Sequence, residues 1–334
     1  MNPGQNLSTS YILRALCALG GCLLVLLAGL TLSGCNGEQA TEGGELRGTI
    51  SVSGAWALYP MMVRWGEEFH ALHPAVEFDI SAGGAGKGMA DALAGAVDIG
   101  MVSREIRQEE IDQGAFGVMV VKDAVVPAIN ANNPYLERLQ TRGIDRATFE
   151  AIWLGQVTTW GQVLGDPGIS DEIHVYTRSD ACGAAETWAA YLGGHRQEDL
   201  LGIAVYGDPG LAEAVAQDPL GIGYNNLNFA YDANSGQPIA GLAIAPLDQN
   251  GNGQLDEEEN VYGSKAELMA AIADGRYPSP PARGLYVVTR GRPDGLALAF
   301  IRWVLTDGQA FAEETGYIPL TAAQAQAEMA RLEE

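Results

Sequence analysis

The sequence predicts an α/β protein with two interleaved lobes, in which parallel sheets carry helices on their faces. Three observations lead to this prediction. Short β-rich runs alternate with helix-like patterns from Thr49 onward, which favours sheets covered by helices over a sandwich of two sheets. No segment repeats at a fixed period. No linker after the amino-terminal region is long or polar enough to separate independently folding domains.

The first part of the chain supplies two strand–helix units and a closing strand. Apolar residues recur at helical spacing from Met61 to Leu72, and the glycines at 83–86 mark a turn before the next helix. We predict strands at 49–53, 76–81 and 97–102 and helices at 61–72 and 87–94.

The later part of the chain repeats this alternation. The segment from Pro293 to Glu314 predicts two short helices, with Phe300, Trp303 and Val304 on one face. The other predicted elements are strands at 118–121, 125–130, 173–177 and 242–246, helices at 146–153 and 264–273, and helices that start near Gly183 and Pro209.

The composition indicates a folded, acidic protein. The 334 residues are 47% hydrophobic and 18% charged, which predicts a sizeable core and excludes a disordered chain. Only 19 Lys and Arg oppose 42 Asp and Glu, and the resulting net charge of −23 repels nucleic-acid phosphates. We therefore expect no nucleic-acid partner. The only long apolar run lies at the amino end, which excludes a protein with several membrane-spanning segments.

The amino end indicates an export signal with a lipid site. Arg14 is the only charged residue among residues 1–34, and the apolar stretch Ala15–Leu32 leads into the sequence Leu-Ser-Gly-Cys that ends at Cys35. This ending matches the bacterial lipobox and predicts cleavage after residue 34, a lipid on Cys35 and a flexible tether at 35–46. An uncleaved membrane anchor helix is the alternative. We expect an extracytoplasmic domain that is held to the cell membrane by its lipid alone.

Three glycine-containing loops predict a site for an oxyanion. Glycine lets main-chain amides approach a ligand closely, and the start of a helix adds partial positive charge. Ser103 and Arg104 follow the third predicted strand, and Arg178 begins the last loop, so a hydroxyl and two guanidiniums are added. Taken singly, these features also fit ordinary turns and surface ion pairs. The loops are 54–60, 83–88 and 178–184.

In these loops and beyond them, the sequence resembles the phosphate-binding proteins of bacterial and archaeal ABC importers. The matching segments cover nearly the whole mature chain: Gly54 with Tyr59-Pro60, Gly83–Gly86, Val97–Arg104, Lys122-Asp123, Trp153–Trp160, Arg178–Gly183, Gly275–Pro278, Arg283–Tyr286 and Gly316–Pro319. The resemblance implies a two-lobed periplasmic-binding-protein-like fold of type II, whose interlobe cleft closes on the ligand. It places lobe 1 at 47–126 and 287–334, lobe 2 at 127–286, and the crossing strands near 125–130 and 285–288.

The resemblance also implies a function and a set of ligand-binding residues. It implies a solute-binding lipoprotein that hands phosphate or a related oxyanion to the permease and ATPase subunits of an ABC importer. The implied ligand residues are Ala57, Leu58, Tyr59, Ala85, Gly86, Ser103, Arg104, Arg178, Cys182, Gly183 and Ala184. The family usually carries hydroxyl groups where this chain has Ala55, Ala85, Cys182 and Ala184. Lost hydrogen bonds weaken binding, so a divergent member that binds another ligand, or acts as a sensor or scaffold, is the alternative.

Residues 248–259 fit the twelve-residue calcium loop of an EF-hand at every demanding position. Gly253 stands at the sharp turn, and Leu255 stands where such loops place an inward apolar residue. The segment before the loop has a strand pattern instead of a helix pattern, so an acidic surface loop is the alternative. We expect a structural clip for Ca²⁺, with oxygen ligands from Asp248, Asn250, Asn252, the carbonyl of Gln254, Asp256 and Glu259.

A secreted hydrolase is the alternative from another functional class. His70 and His73 lie three residues apart on the first predicted helix, but no further His or Cys is spaced to complete a metal site. Cys182 is the only cysteine beyond Cys35, and no base stands near it in the sequence. His174 and His195 complete the set of candidate bases. We expect a small buried thiol at Cys182 and no enzymatic activity.

Overall fold

The computed structural model describes residues 45–334, starting just before the first strand. The predicted export signal at 1–34, the predicted lipid site at Cys35 and most of the predicted tether lie outside the described residues. Within the described part, no helix combines the length and the apolar character needed to cross a membrane.

Eleven strands lie within residues 45–334, and nine of them form one mixed sheet. The strands are β1 (Gly48–Gly54), β2 (Val76–Ala82), β3 (Ile99–Val102), β4 (Ala115–Asn130), β5 (Ile144–Asp145), β6 (His174–Arg178), β7 (Ile203–Val205), β8 (Gly221–Asn226), β9 (Leu242–Ile244), β10 (Leu247–Asp248) and β11 (Ala282–Arg290). The order along the sheet is β2-β1-β3-β11-β4-β8-β6-β7, and β9 also pairs with β4. The short strands β5 and β10 pair separately.

The large sheet is parallel towards its ends and antiparallel in its middle. At one end β1 pairs in parallel with β2 and β3, and at the other end β6 pairs in parallel with β7 and β8. In the middle, β4 and β11 run antiparallel to each other and to their remaining neighbours. The expectation of parallel sheets is therefore corrected for this middle part, because the two strands that cross between the lobes carry the chain in opposite directions.

The long strand β4 replaces two predicted strands, 118–121 and 125–130. Lys122 and Asp123 interrupt the apolar pattern, but Asp123 is 1% exposed and pairs in register with Arg283 of β11. The first part of β4 pairs with β11, and the part from Val125 onward pairs with β8 and β9. One continuous strand therefore belongs to both halves of the molecule.

Thirteen α-helices and three short 3₁₀ segments are present in the described residues. The helices are α1 (Tyr59–Leu72), α2 (Ala85–Ala94), α3 (Gln108–Asp112), α4 (Leu136–Arg142), α5 (Arg146–Trp153), α6 (Trp160–Leu164), α7 (Gly183–Gly193), α8 (Gly207–Gln217), α9 (Leu227–Ala230), α10 (Lys265–Asp274), α11 (Gly295–Leu305), α12 (Ala312–Thr315) and α13 (Ala322–Glu333). The 3₁₀ segments are Trp56–Leu58, Gln197–Asp199 and Asp307–Phe311.

Several helix boundaries follow from local signals in the sequence. Helix α5 has the predicted bounds, and the Asp145 side chain caps it by accepting from the Thr148 amide at 2.9 Å. The predicted pair of short helices at 293–314 is instead α11 followed by a 3₁₀ segment and α12. Helix α13 was not predicted, although Thr321 and Gln324 form a capping box at its start.

Two large hydrophobic clusters divide most of the described chain. One cluster draws its buried residues from Ile50–Val121 and Leu285–Leu332, and we call the part packed around it lobe 1. The other draws them from Ala124–Ala282 and from Ile318, and we call that part lobe 2. The lobes are joined by β4, by β11 and by the segment at Ile318, which pairs with Lys122 of β4. The predicted lobe boundaries at 126/127 and 286/287 stay a prediction.

Candidate anion-binding site

The first two predicted loops pack against each other where β1, β2 and β3 end. The amides of Gly83 and Gly84 donate to the Gly54 carbonyl oxygen at 2.8 and 3.0 Å, and the Ala55 amide donates to the Met101 carbonyl oxygen at 2.9 Å. Gly54 has a φ of 132°, and a Cβ built on it would collide with the Met101 carbonyl oxygen. Only glycine therefore fits where the three strands end together.

The third predicted loop, 178–184 of lobe 2, directly meets the second loop and Ser103. The Gly86 amide at the start of α2 donates to the Ala181 carbonyl oxygen at 3.2 Å. A Cβ built on Gly183 would collide with the carbonyl oxygen and the hydroxyl of Ser103. The three loops thus meet across the contact between the lobes, with main chain touching main chain. The Gly86 amide, which was predicted to hold an anion, is bonded to the protein itself.

Arg178 lies at this contact with two carboxylates of its own lobe. Its side chain is 0% exposed. The Nε and Nη2 atoms donate to Asp180 at 2.8 and 2.5 Å, and Nη1 donates to Asp208 at 2.6 Å. Burial disfavours the charged form of the guanidinium, but the nearby Asp208 and Asp180 outweigh it, so the pKa of Arg178 is raised. The guanidinium is therefore charged, and the two carboxylates beside it carry more negative charge than it carries positive charge.

Arg104 forms ion pairs within lobe 1 and across to lobe 2. Its Nη1 and Nη2 atoms donate to the two oxygens of Glu110 at 2.8 and 2.6 Å. Its Nε lies 3.1 Å from Glu186, on the first turn of α7, and Arg107 also contacts Glu186, at 2.8 Å. Burial works against the charge of Arg104, but Glu110 and Glu186 raise its pKa overall. Glu186 therefore holds the lobes together by binding two arginines of lobe 1.

The charges at the contact are balanced by the protein without a ligand. The guanidiniums of three arginines face the carboxylates of four acidic residues, and every carboxylate lies within hydrogen-bond distance of a guanidinium. The arginines are Arg104, Arg107 and Arg178, and the acidic residues are Glu110, Asp180, Glu186 and Asp208. Hydrogen-bonded pairs of ionised groups are stronger than neutral hydrogen bonds, and removing one partner of a buried pair is costly. An oxyanion that binds here must therefore displace carboxylates of the chain.

The other predicted ligand residues lie in the same region, and most are buried. Gly183 is buried, whereas Tyr59 and Gly86 are partly exposed. The other six are at most 3% exposed: Ala57, Leu58, Ala85, Ser103, Cys182 and Ala184. The side chains of Ala55, Ala85 and Ala184 contribute no donor.

Cys182 caps helix α7. Its Sγ accepts from the Ala185 amide at 3.4 Å, and its own amide donates to Gln197 Oε1 at 3.0 Å. Burial raises the pKa of the thiol to about 12, so the thiol is protonated near neutral pH. The residue takes the capping role of a hydroxyl without being reactive.

Two residues at the contact, Glu186 and Asp208, were not predicted as part of the site, and Trp56 lies in the predicted loop 54–60 but was not named as a ligand. The Trp56 ring stands edge-on to Tyr206 of lobe 2, with the ring centroids 6.3 Å apart. Asp208 stands in the Gly-Asp-Pro-Gly start of α8, which in the sequence signals a helix start and nothing more. No local pattern shows that its carboxylate reaches Arg178, which lies thirty residues earlier.

The predicted calcium loop closes on itself. Asp248 and Glu259 are 3% and 7% exposed. Asp248 accepts from the amides of Gly251 and Gly253 at 2.8 and 2.7 Å, and Glu259 accepts from the amides of Gln249 and Asn250 at 2.9 and 3.2 Å. The two buried carboxylates at the ends of the loop are thus held by main-chain amides.

The middle of this loop is held by side-chain amides. Asp256 Oδ2 accepts from Asn250 at 2.7 Å and from Asn252 at 2.9 Å. The described residues contain no group of three or more His, Cys, Asp or Glu arranged to hold a metal ion, so the three carboxylates of the loop are not gathered into a metal centre here. The Ca²⁺ site, including the carbonyl of Gln254, stays a prediction.

Three of the four candidate bases of the hydrolase alternative have partners elsewhere. His70 Nδ1 lies 2.6 Å from the Val76 carbonyl oxygen, and His174 Nδ1 lies 2.7 Å from Asp218. His195 Nε2 lies 2.7 Å from Glu150. These partners are different from the Cys182 thiol, so the contacts supply no thiol–imidazole pair.

Comparisons with known proteins agree with this architecture. The sequence profile of the PBP superfamily domain matches residues 39–308. The phosphate-binding protein PstS of Xylella fastidiosa is 24% identical over 345 residues, which cover 90% of this chain and 94% of that protein. PstS of Bacillus subtilis is 26% identical over 289 residues, which cover 86% of this chain and 85% of that protein.

Solved structures share the fold. A protein of Clostridium perfringens, assigned as a phosphate ABC transporter substrate-binding protein and solved with bound phosphate, has a TM-score of 0.66 at 20% identity, with 82% of this chain and 100% of that chain covered. An ABC-type phosphate transport receptor of Vibrio cholerae has a TM-score of 0.58 at 18% identity, with 81% of this chain and 100% of that chain covered. Since the profile spans most of the sequence and the two-lobed α/β fold agrees with it, the chain belongs to the PBP superfamily of periplasmic-binding-protein-like domains.

Proposed function

We propose that the chain is an extracytoplasmic solute-binding lipoprotein of an ABC importer, and that it binds phosphate or a related oxyanion between its lobes. The observation that carries this proposal is the meeting of three glycine-containing loops with Arg104 and Arg178 at the contact between the lobes. Main-chain amides at helix starts and guanidiniums are groups that bind oxyanions. The relatives named as phosphate-binding proteins support phosphate as the leading ligand.

Ligand entry requires the lobes to separate, because main chain and ion pairs fill their contact. Separation would break the bond between Gly86 and Ala181 and the ion pairs from Glu186 to Arg104 and Arg107. An entering oxyanion would then replace the Glu186 carboxylate, and closure would bring the loops back around it. Because the guanidiniums gain a new partner only by losing an old one, we expect weaker binding than at a site whose arginines lack carboxylates.

The importer part of the proposal is supported by the relatives. The Vibrio cholerae structure is named a phosphate transport receptor. A lipid on Cys35 would keep the domain at the outer face of the membrane, where permease and ATPase subunits would take up the ligand it releases. The proposal assigns no catalysis to the chain, since the relatives are named as phosphate-binding proteins.

Calorimetric titration of the purified protein with phosphate, sulfate, molybdate and tungstate tests the proposal. We expect heat of binding with at least one of these oxyanions. Replacing Ser103 with alanine removes a buried hydroxyl at the loop contact and should weaken that binding by about tenfold, the value of one hydrogen bond to a charged group. Ser170→Ala, on an exposed loop, is the matched control and should bind like the wild type. No heat with any of the four anions would refute oxyanion binding.

We also propose that residues 248–259 bind Ca²⁺ as a structural clip. The sequence pattern supports this, and so does the burial of Asp248 and Glu259. Within residues 45–334, neither carboxylate takes part in an ion pair with Lys, Arg or His. Burying a carboxylate without a cation is costly, and a bound Ca²⁺ would supply the missing positive charge.

Thermal melting with and without a calcium chelator tests this clip. At a Ca²⁺ concentration about 100-fold above Kd, binding stabilises a protein by about 3 kcal/mol, so the chelator should lower Tm by several degrees. Glu259→Gln removes the charge at the last ligand position and should abolish the difference. Glu258→Gln, at the exposed neighbouring position, should retain it. Superimposable wild-type curves in both conditions would reject the site.

A further inference from the structure

A series of hydrogen-bonded, buried side chains leads from the contact of the three loops to the crossing strand β11. We call it the buried network, and each of its members is at most 8% exposed. The members are Arg178 at the end of β6, Asp208 on the first turn of α8, Asn226 at the end of β8, and Arg283 on β11. Of these four residues, only Arg178 is predicted from the sequence as a ligand residue.

Asn226 is the neutral link between the charged members of the buried network. Its Nδ2 donates to Asp208 Oδ1 at 2.7 Å, and its Oδ1 accepts from Arg283 Nη2. An ionised carboxylate can only accept hydrogen bonds, and a guanidinium can only donate them. The amide therefore has a single orientation that satisfies both neighbours, with its nitrogen towards Asp208 and its oxygen towards Arg283. An ionised aspartate, which has the same shape, would offer acceptors and no donor.

Asp208 connects Asn226 to the ligand residue Arg178. Its Oδ2 accepts from Arg178 Nη1 at 2.6 Å, while its Oδ1 accepts from Asn226. Its main-chain carbonyl oxygen accepts from Asn225 Nδ2 at 3.0 Å, which also holds the main chain at this position. Since Asp180 accepts from the other two nitrogens of the guanidinium, hydrogen bonds determine the plane and the direction of the Arg178 side chain.

Arg283 ties the buried network to the strands that cross between the lobes. Its Nη1 donates to Thr187 Oγ1 of α7 at 2.9 Å, and its Nη2 lies 3.7 Å from the Asp123 carboxylate of β4. The Arg283 guanidinium is thus held by α7 and by both crossing strands, while it holds Asn226. The orientation of Arg178 therefore depends on a residue of β11 that lies three hydrogen bonds away from it.

We propose that Asn226 is a positioning residue for oxyanion binding, which holds the Arg178 guanidinium in its binding orientation through Asp208. This proposal rests on the proposed function, because it concerns the same site. Asn226 acts through Asp208 and not by touching the anion. A guanidinium that is already oriented loses less conformational entropy on binding, so loss of the amide lowers the affinity for the anion.

Calorimetric titration with inorganic phosphate, or with whichever of the four oxyanions the wild type binds most tightly, tests this proposal. Asn226→Asp keeps the shape of the side chain but sets a second carboxylate against Asp208, so the hydrogen bond between them is lost. We expect the variant to bind the anion about tenfold more weakly, the value of one hydrogen bond to a charged group. Asn132→Asp, on the exposed turn after β4, makes the same substitution and should bind like the wild type.

Exchanging the two side chains separates the effect of positioning from the effect of charge. In Asp208→Asn two amides stand between two guanidiniums, so at least one N–H must face another donor. Adding Asn226→Asp gives every donor an acceptor again, because the carboxylate and the amide have only changed places. The double variant carries one more negative charge than Asp208→Asn, and charge alone would weaken its anion binding. We nevertheless expect it to bind the anion about tenfold more tightly than Asp208→Asn.

Urea unfolding of every variant separates stability from affinity, because a merely structural role of Asn226 would lower the unfolding free energy and leave the affinity of the folded protein unchanged. If Asn226→Asp alone does not fold, the comparison of the double variant with Asp208→Asn decides. Two results would overturn the proposal while oxyanion binding by the wild type stands: wild-type affinity in Asn226→Asp, or a double variant that binds no more tightly than Asp208→Asn. No heat from the wild type with any of the four anions refutes the proposed function, and this proposal with it.

Discussion

Replacing Arg178 with methionine is expected to lower the free energy of unfolding by about 3–5 kcal/mol, because removal of one partner leaves a buried ion pair with an uncompensated charge. Methionine keeps much of the volume of the arginine stem but cannot donate to a carboxylate. Asp208, which is 1% exposed, would lose its charged partner, and so would the nearly buried Asp180. Equilibrium unfolding in urea, followed by tryptophan fluorescence, measures the loss.

Arg138→Met is the matched control for this measurement. Arg138 also pairs with an aspartate, Asp166, at 3.1 Å, but their side chains are 49% and 40% exposed. Exposed pairs contribute about 0–1 kcal/mol, so the control should change the unfolding free energy by less than about 1 kcal/mol. If the two variants lost the same small amount, the buried ion pairs of Arg178 would not stabilise the fold more than an exposed pair does.

Replacing Asp123 with asparagine is expected to change the pH dependence of stability. Burial raises the pKa of this carboxyl from 3.8 to about 6 in the folded protein, although nearby Arg283 works in the opposite direction. Between about pH 4 and pH 6 the folded state then holds a proton that the unfolded state has lost. The unfolding free energy of the wild type therefore falls as pH rises through this window, by about 3 kcal/mol for two pKa units.

The asparagine variant lacks this proton and should not show that fall. The difference between the unfolding free energies of Asp123→Asn and the wild type should thus shift by about 3 kcal/mol in favour of the variant from pH 4 to pH 7. Urea titrations of both proteins at several pH values measure it, and all other titrating groups cancel in the difference. A constant difference over this range would show that Asp123 is ionised at pH 4 in the folded protein.

Periodic patterns in the sequence predicted most of the fold, and the elements that differ have local physical reasons. Helix α5 has its predicted bounds, and the structure shows that the Asp145 side chain caps its start. Strand β4 was divided in the prediction because Lys122-Asp123 looks like a polar break. The sequence cannot show that Arg283, far along the chain, lets this aspartate be buried. Helix α13 has a weak apolar face, and its capping box was its clearest signal.

The candidate site was predicted in its location but not in its electrostatics. Glycine-containing loops after strands locate a site because the ends of neighbouring strands meet at one edge of a sheet. The partners of the arginines cannot be found in this way. Glu186 approaches Arg104 and Arg107 from the other lobe, and its place on the first turn of α7 resembles an ordinary helix start. Pairing between distant charges depends on the tertiary fold, which local patterns do not contain.

The shared strand β4 also determines whether the molecule can be divided. Its residues up to Ala124 pair with β11, and its residues from Val125 pair with β8 and β9. A protein cut between the lobes would expose strand edges in both fragments, and exposed edges recruit other chains into aggregates. We therefore expect neither half to be a self-sufficient folding module.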